Sequence, residues 1–325
     1  MNATDAPTPS ALSPAQVHYL STNQPFYYSP QADLFDWCPD TLVALAAPVI
    51  AYWVSSIFFH ILDISAWKWL DKYRIHESAE VKSRNLVTRA EVIRAVILQQ
   101  IVQTLIGYWY MEEEPSGALV DHLGNMLRLE PALTRTLIWT LGEKLGARVL
   151  DRDGAQLLYA VYWWAIPVAR FFFGMFIIDT WQYFLHRAMH VNRWLYKQFH
   201  SVHHRLYVPY AFGALYNHPL EGLVLDTIGT AVAELLAGMS TREAMLLFLI
   251  SSLKTVDDHC GYRLPFDPLQ LLTSNNADYH DIHHQVIGIK SNFAQPFFVH
   301  WDYILGTRMT RKDIEHRRQK QKKDL

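Results

Sequence analysis

FFFGMFIIDTWQYFLHRAMHVNRWLYKQFHSVHH, residues 171–204, starts as an apolar run and ends in a segment that holds five histidines. The apolar run itself begins at Gly154 and reaches Ile178 with Arg170 as its one charge. At about 1.5 Å per residue, a helix of this length crosses a hydrocarbon core about 30 Å thick. The stretch therefore predicts a membrane-spanning helix that carries histidines at one of its ends.

Two earlier runs, Thr41–Leu62 and Ala95–Met111, also lack Asp, Glu, Lys and Arg, and they predict two further spanning helices. Residues 220–253 are apolar but are interrupted by charges, so they favour a helical hairpin around Gly238 that dips into the bilayer. Only 18% of the chain is charged, against about 25% in ordinary soluble domains. The predicted fold is an all-α integral membrane protein in which a cytosolic, histidine-rich helical di-metal site caps the spanning helices and the hairpin. The charges that interrupt the hairpin are Glu221, Asp226, Glu234, Arg242 and Glu243.

The distribution of basic residues predicts the orientation of these helices. Residues 1–40 contain no Lys or Arg, whereas basic residues are frequent in 63–94 and after Tyr303. Because short cytoplasmic segments are enriched in Lys and Arg, the histidines and the carboxyl terminus are expected in the cytosol. The predicted segments are a polar extension (1–40), transmembrane and connecting helices (41–160), a catalytic domain (161–307) and a basic cytosolic tail (308–325).

The composition leaves one other class of protein open and gives no support for two more. A soluble all-α protein with buried helices is the alternative to a membrane protein. The net charge of −2 gives no indication of a nucleic-acid partner, and Cys38 and Cys260 provide no disulfide framework. Cys260 follows His259 and is interpreted as a small buried thiol rather than a ligand.

Ten of the sixteen histidines lie between His186 and His284, and eight of them form three clusters. The spacings are HxxxH once and HxxHH twice, and positions i, i+3 and i+4 share one face of an α-helix. Neutral imidazole is a good ligand for iron, zinc, copper and nickel. Clusters from three helices therefore predict a site for two metals. The three clusters are His186/His190, His200/His203/His204 and His280/His283/His284.

Two isolated histidines are further candidate ligands, since the hairpin returns both to the same side. His218 lies in Tyr-Asn-His-Pro where the hairpin begins, and His259 lies in Asp-Asp-His-Cys where it ends. A structural role is the alternative for each of them. The other six histidines belong to no cluster and are expected to be structural or exposed: His18, His60, His76, His122, His300 and His316.

The ligand types narrow the choice of metal. Structural zinc sites are usually rich in cysteine, and the chain has no His-Glu-x-x-His motif for zinc-dependent hydrolysis. A two-metal, all-imidazole site with open positions suits O₂ activation by iron. Carboxylates near the clusters are expected to fix the imidazole tautomers, although each could be a solvated charge. These are Asp179, Asp257, Asp258, Asp278 and Asp281.

HRAMH, HSVHH and HDIHH, in this order, resemble the fatty acid hydroxylase superfamily, which includes sterol desaturases, sterol C4-methyl oxidases and sphingolipid hydroxylases. The resemblance covers about 171–307 and includes Asn-His-Pro at 217–219, HCGYRLP at 259–265 and WDYILGT at 301–307. Within the superfamily, residues 179–218 are most similar to the sphinganine C4-hydroxylase subfamily. The earlier part of the chain carries no motif.

The resemblance implies O₂-dependent hydroxylation at C4 of sphinganine or dihydroceramide, in sphingolipid biosynthesis. It implies two ferrous ions, electrons from NAD(P)H through cytochrome b5 and its reductase, and a multi-pass protein of the endoplasmic reticulum. The closing Lys322-Lys323-Asp324-Leu325 looks like a dilysine retrieval signal. No catalytic residue is implied beyond the metal ligands, which are His186, His190, His200, His203, His204, His280, His283 and His284, with His218 and His259 at matching positions.

Alternatives to this activity stay open. A membrane lipid or sterol desaturase or methyl oxidase would use the same di-iron site, although the ten-residue spacing of His190 and His200 favours the hydroxylase group. A metal-transport protein would predict ionisable residues within several spans, which are scarce here. The residues do not distinguish a free long-chain base from its N-acylated form, nor do they indicate chain length or oligomeric state.

Overall fold

A computed structural model of the protein describes residues 12–65, 67–110 and 120–323. Every named element in these ranges is helical, and the two β-bridges, Phe35–Cys38 and Arg74–Tyr262, are isolated. The α-helices are α1 (Pro14–Thr22), α2 (Asp40–Ile64), α3 (Lys68–Asp71), α4 (Ser78–Arg84), α5 (Arg89–Tyr110), α6 (His122–Leu141), α7 (Glu143–Ala160), α8 (Ile166–Val191), α9 (Arg193–Leu195), α10 (Pro219–Gly222), α11 (Gly229–Ala237), α12 (Thr241–Asp258), α13 (Pro268–Leu272), α14 (Ala277–His284), α15 (His300–Ile304) and α16 (Arg311–Lys323).

The described residues form two compact units, of which the first comprises 12–39 and 120–170. Its helix α1 begins with a capping box between Ser13 and Gln16, and it buries Leu20 against α6 and α7. The Gln16 amide also donates to the backbone oxygen of Leu150 over 3.0 Å. The amino-terminal stretch was expected to be an unpacked extension, but from residue 12 onward its apolar side chains give it a packed helix.

The second unit comprises residues 40–110 and 171–323, and α2 is its central helix. Helix α5 runs antiparallel to α2, because Trp53 donates to the Gln100 side chain over 2.9 Å while Leu45 lies beside Gly107. The last turn of α2 contacts the residues that follow α12, since Tyr262 donates to the Asp63 carboxylate. The carboxyl end of α2 and the amino end of α5 therefore lie at the same end of the unit.

Three helical runs are long and apolar enough to cross a membrane, namely Asp40–Ile64, Arg89–Tyr110 and Glu143–Val191. The third is longer than predicted, because a π-helical turn at Val161–Ala165 joins α7 to α8 without a break. Side chains at positions 50, 54, 57 and 61 of α2 form an exposed apolar stripe, as lipid contact requires. The prediction of an all-α integral membrane protein is confirmed.

The predicted hairpin is present, and its turn lies where expected. Gly238 ends α11 with a φ of +61°, and Ser240 caps α12 through a capping box with Glu243. Arg242 pairs with Asp40, and Ser252 donates to the Pro48 oxygen over 2.8 Å, so α12 runs parallel to α2. The Gly238 turn therefore lies beside the first turn of α2. His259 lies at the opposite end of α12, beyond its last turn.

Candidate metal centre

The histidines of the centre come from four kinds of local structure. His186 and His190 lie on the last turns of α8, the third cluster lies on α14, and His259 caps the carboxyl end of α12. The second cluster was expected on an α-helix, and this was wrong. His200 ends a π-helical turn, whereas His203 and His204 lie in a 3₁₀ turn, so the chain direction changes within the cluster.

The structure brings nine of the ten predicted ligands together as two groups, and within each group the candidate ligand atoms lie within 4.8 Å of one another. All nine side chains are buried. The sequence neighbours His203 and His204 belong to different groups, as do His283 and His284, so the motifs do not correspond to one metal each. The five-histidine group is His186, His190, His200, His204 and His283, and the four-histidine group is His203, His259, His280 and His284.

Backbone carbonyls determine which ring nitrogen carries the proton. The Nδ1 atom of His186 lies 2.8 Å from the Phe293 oxygen, and that of His284 lies 2.7 Å from the Leu206 oxygen. A carbonyl oxygen accepts only, so each of these Nδ1 atoms donates and each Nε2 atom presents a lone pair. The same contact is made by His203 with Tyr216, His259 with Thr255 and His283 with Ser291.

Several of these lone pairs lie close to the Nε2 atom of another ring. The Nε2 atoms of His186 and His200 are 3.0 Å apart. The Nε2 atom of His280 lies 3.0 Å from those of both His259 and His284, so a single proton on it can serve only one of these two acceptors. The Nε2 atom of His283 is buried without a hydrogen-bond partner. Facing acceptors and an unpaired buried acceptor are unfavourable unless a cation lies between them. The donor set therefore fits a metal ion in each group.

Burial keeps these imidazoles in the form that binds metals. Because charging a buried ring is costly, the pKa of His203 is lowered to about 4 and the pKa of His283 to about 3. Both rings are neutral at physiological pH, as metal coordination requires. Cys260 lies outside both groups, and its buried Sγ accepts from the backbone N–H of Tyr262 over 3.4 Å.

Glu221 contacts the candidate centre, although the sequence analysis did not single it out as a site residue. Its Oε1 atom lies 2.5 Å from Nδ1 of His200, so this carboxylate orients an imidazole of the five-histidine group. In the sequence it was only one of the charges that interrupt an apolar hairpin. A carboxylate among apolar residues is the signal that could have identified it.

The carboxylates expected to fix the tautomers make other contacts. Asp179 accepts from the backbone N–H groups of Phe297 and Phe298 over 3.0 and 2.8 Å. Asp257 accepts from Gln270, Asp258 pairs with Lys254, and Asp278 and Asp281 pair with Arg311. In the part of the chain that the structure describes, backbone carbonyls and Glu221 take over most of the expected role.

His218 lies outside both groups, unlike the other nine predicted ligands. Its Nδ1 atom accepts from the backbone N–H of Leu220 over 3.2 Å, which makes His218 the amino-terminal cap of α10. The position before Pro219 explains this use, because a helix that starts at proline leaves nearby N–H groups free to be capped. The six histidines outside the clusters also lie outside the two groups.

The loop that supplies two of the carbonyl acceptors is itself held by a buried carboxylate. Asp302 accepts from the N–H groups of Phe293 and Ala294 over 3.0 and 2.7 Å, and from the hydroxyl of Tyr279. Asn292 closes the same loop through a 2.7 Å contact with the N–H of Met309. This network places the Phe293 oxygen against His186, and it explains why the WDYILGT segment belongs to the site.

A cavity lies against both groups of histidines. One part of its wall is formed by imidazoles of the two groups, and another part is formed by polar side chains of α8, the hairpin and the loop after Ala294. A substrate carbon that enters this cavity would approach both metal positions. The imidazoles in the wall are those of His200, His203, His259 and His280.

Comparison with known proteins agrees with this geometry. The family model described as fatty acid hydroxylase matches residues 171–307. The sphingolipid C4-hydroxylase of Saccharomyces cerevisiae is 46% identical over 294 residues, which are 90% of this chain and 78% of that protein. This chain belongs to the fatty acid hydroxylase family.

Two further relatives are named for different activities. The sphinganine C4-monooxygenase 2 of Arabidopsis thaliana is 42% identical over 82% of this chain and 88% of its own length. A very-long-chain aldehyde decarbonylase of Oryza sativa subsp. japonica is 40% identical over 83% of this chain and 89% of its own length. No solved structure gives a significant match. The resemblance inferred from the histidine motifs is confirmed.

Proposed function

We propose that this chain is an iron-dependent membrane monooxygenase that hydroxylates C4 of a sphingoid long-chain base, in sphingolipid biosynthesis. The observation that carries the proposal is the pair of buried histidine groups in which the candidate ligand atoms lie within 4.8 Å of one another. The choice of substrate rests on relatives named sphingolipid C4-hydroxylase and sphinganine C4-monooxygenase, at 46% and 42% identity.

The overall reaction requires an oxidant, electrons and protons in fixed proportion. The C4–H bond gains one oxygen atom of O₂, and the other atom leaves as water after uptake of two electrons and two protons. Iron, when bound, supplies the redox chemistry that reduces O₂ next to the substrate. The five-histidine and four-histidine groups would hold one iron each, through their Nε2 atoms.

The protein's own residues would prepare this site for the reaction. Carbonyl acceptors keep each imidazole in one tautomer, and Glu221 holds the ring of His200 through Nδ1. The ligands are buried, so bulk water is excluded from the position where a reactive oxidant would form. The cavity beside both groups would orient the carbon that is oxidised.

The position of the centre relative to the spanning helices suits a lipid whose reacting carbon is near its polar end. C4 of a sphingoid base lies a few bonds from the amino group, so it resides close to the membrane interface. The histidines lie at the carboxyl ends of α8 and α12 and not along the middle of a span. The alkyl chain would extend toward the apolar faces of the helices.

Electron supply and location are part of the same proposal. Electrons would come from NAD(P)H through cytochrome b5 and its reductase, with the centre and the carboxyl terminus on the cytosolic face of the endoplasmic reticulum. The excess of Lys and Arg in 63–94 and after Tyr303 supports this orientation. The dilysine-like signal ends with Asp324 and Leu325, which lie outside the described residues.

One observation favours a second activity, which is the identity of 40% to a very-long-chain aldehyde decarbonylase. The two activities would use the same histidine groups and differ in the lipid and in the bond that is broken. A sterol or lipid desaturase would use the same histidine groups and form a double bond. The product distinguishes all three, since it is a 4-hydroxy base, a shortened hydrocarbon or an unsaturated lipid.

Expression in cells that lack their own long-chain-base hydroxylase tests the proposal. Lipid mass spectrometry should detect 4-hydroxylated bases with the intact chain and none with His283→Ala, although both proteins are present in the membrane fraction. A control variant, Glu315→Gln on the exposed face of α16, should behave like the intact chain. An iron-loaded, membrane-inserted protein that yields no 4-hydroxy product would refute the proposed activity.

A further inference from the structure

Glu221 and Asp226 line the same cavity, and an unusual backbone segment separates them. The segment from Leu223 to Ile228 forms a π-helical turn, which follows α10 directly. In a π-helix the hydrogen bond joins residues five apart, so positions i and i+5 come to the same side. In an ordinary α-helix these two positions diverge. Glu221 lies two residues before this turn and Asp226 lies within it, and both line the histidine-lined cavity.

Glu221 presents an unused buried oxygen to this cavity. The residue is 4% exposed, and one carboxylate oxygen, Oε1, contacts His200. The other oxygen, Oε2, is buried and has no hydrogen-bond partner. A buried carboxylate oxygen without a donor is costly, so this atom points to a donor that the chain itself does not provide.

Asp226 adds a second carboxyl group to the same wall. Its two oxygens are reached by the side-chain amides of Gln182 and Gln99, each over a long 3.4 Å contact. The third acid in the wall, Asp258, is neutralised by the buried Lys254. The described residues that line the cavity include no Lys or Arg, so no cationic side chain of the lining pairs with Glu221 or Asp226.

The separation between Glu221 and the metal-binding nitrogen of His200 suits the ammonium group of a sphingoid base. Glu221 is separated from the Nε2 atom of His200 by one imidazole ring, and Nε2 is the atom that would contact the metal. In a sphingoid base, the amino carbon lies two carbons from C4. A base whose C4 faces the metals would therefore place its ammonium group near Glu221.

We propose that Glu221 and Asp226 bind the ammonium group of a free long-chain base and make the enzyme select it over N-acylated forms. This inference rests on the proposed function, because it takes a sphingoid base as the lipid. An amide nitrogen carries no charge and one N–H, so an N-acylated lipid would offer the two carboxyl groups no charged donor and at most one hydrogen bond. Loss of such a charged hydrogen bond is a strong basis for discrimination.

The experiment compares sphinganine with N-octanoyl-sphinganine on the full-length, iron-loaded protein in lipid nanodiscs. Asp226→Asn is the main variant, because Asp226 contacts no predicted metal ligand, and Glu221→Gln is the second. Both changes remove charge and keep a side chain of similar shape. Measurements are the Kd of each lipid and the kcat/KM for each, with iron content as a check and Glu315→Gln as the control.

We expect the intact enzyme to favour sphinganine, and Asp226→Asn to reduce that preference at least tenfold in both Kd and kcat/KM. Weakening of both lipids by the same factor would show a structural role and overturn the assignment. So would an intact protein that binds the N-acylated lipid as tightly as sphinganine. Charge-dependent binding of sphinganine without 4-hydroxylation would refute the proposed function and leave the ammonium site standing.

Discussion

The Nε2 atoms of His186 and His200 lie 3.0 Å apart, and the Nδ1 contacts of the two rings assign the proton of each ring to Nδ1. The Nδ1 atom of His186 donates to the Phe293 oxygen, and the Nδ1 atom of His200 donates to the Glu221 carboxylate. Two lone pairs at this distance repel each other unless a cation separates them. The relationship between these two residues is therefore the local reason for assigning a metal to the five-histidine group.

His218→Ala should leave metal binding intact, because His218 caps α10 and belongs to neither group. Loss of the cap should cost about 1 kcal/mol of stability, seen as a small decrease in the thermal unfolding midpoint in detergent. Iron content per chain, measured by mass spectrometry of the metal, should equal that of the intact protein. A loss of one iron per chain in this variant would show that His218 is a metal ligand in the intact protein.

Asp302→Ala should impair the metal centre without touching any ligand. The substitution leaves the buried N–H groups of Phe293 and Ala294 unpaired, at a cost of about 2–4 kcal/mol. Because the Phe293 oxygen holds His186, the iron affinity should fall at least tenfold. Competition with a chelator measures that affinity. Asp313→Ala at the exposed start of α16 is the matched control, and equal affinity in both variants would contradict the prediction.

Gly238→Ala should destabilise the hairpin through backbone strain alone. Gly238 has a φ of +61°, and a Cβ built there meets nothing within 4 Å. The expected cost is about 1 kcal/mol, the difference between alanine and glycine in the left-handed region. Gly238→Asn should cost less, because asparagine tolerates this conformation. Equal unfolding midpoints for the alanine variant and the intact protein would show that the turn has another backbone conformation.

His76 should make stability depend on pH. Its Nε2 atom contacts Asp281 over 2.8 Å and its Nδ1 atom contacts Glu80 over 3.3 Å, with Arg84 nearby. The hydrogen bond with Asp281 raises the pKa of His76 above its usual value near 6.5. The charged ring therefore stabilises the fold fully below pH 6.5, and this contribution is lost as pH rises through the raised pKa.

His76→Gln tests that dependence. The unfolding midpoint of the variant should be below that of the intact protein at pH 6, by an amount that corresponds to about 1–2 kcal/mol. The gap should narrow steadily between pH 6 and pH 9. A gap that stays constant over this range, or widens toward alkaline pH, would mean that the charge of His76 contributes nothing.

The sequence predicted the histidines of the centre well because their spacing is local. Positions i, i+3 and i+4 bring imidazoles together on any helical backbone, so eight of the nine grouped histidines were found from spacing alone. Their division between the groups was not predictable. It depends on how the elements pack, because adjacent histidines point in different directions both on the 3₁₀ turn of His203 and His204 and on α14, which carries His283 and His284.

Contacts between residues that are far apart in the chain could not be predicted from the sequence, for a different physical reason. The acceptor of His186 is a backbone oxygen 107 positions away, and every residue type has such an oxygen. Glu221 was noted only as a charge in an apolar run, since its contact with His200 requires the path of the hairpin. The position of the Gly238 turn beside the first turn of α2 was also not predictable, since it follows from the pairing of Arg242 with Asp40.

The iron content of the purified protein tests the central claim most directly. The intact chain, reconstituted with ferrous iron under anaerobic conditions, should hold two irons per chain. His190→Ala in the five-histidine group and His280→Ala in the four-histidine group should each lower this to about one. Two irons retained in both variants, or no more than one in the intact chain, would contradict the assignment of one metal to each group.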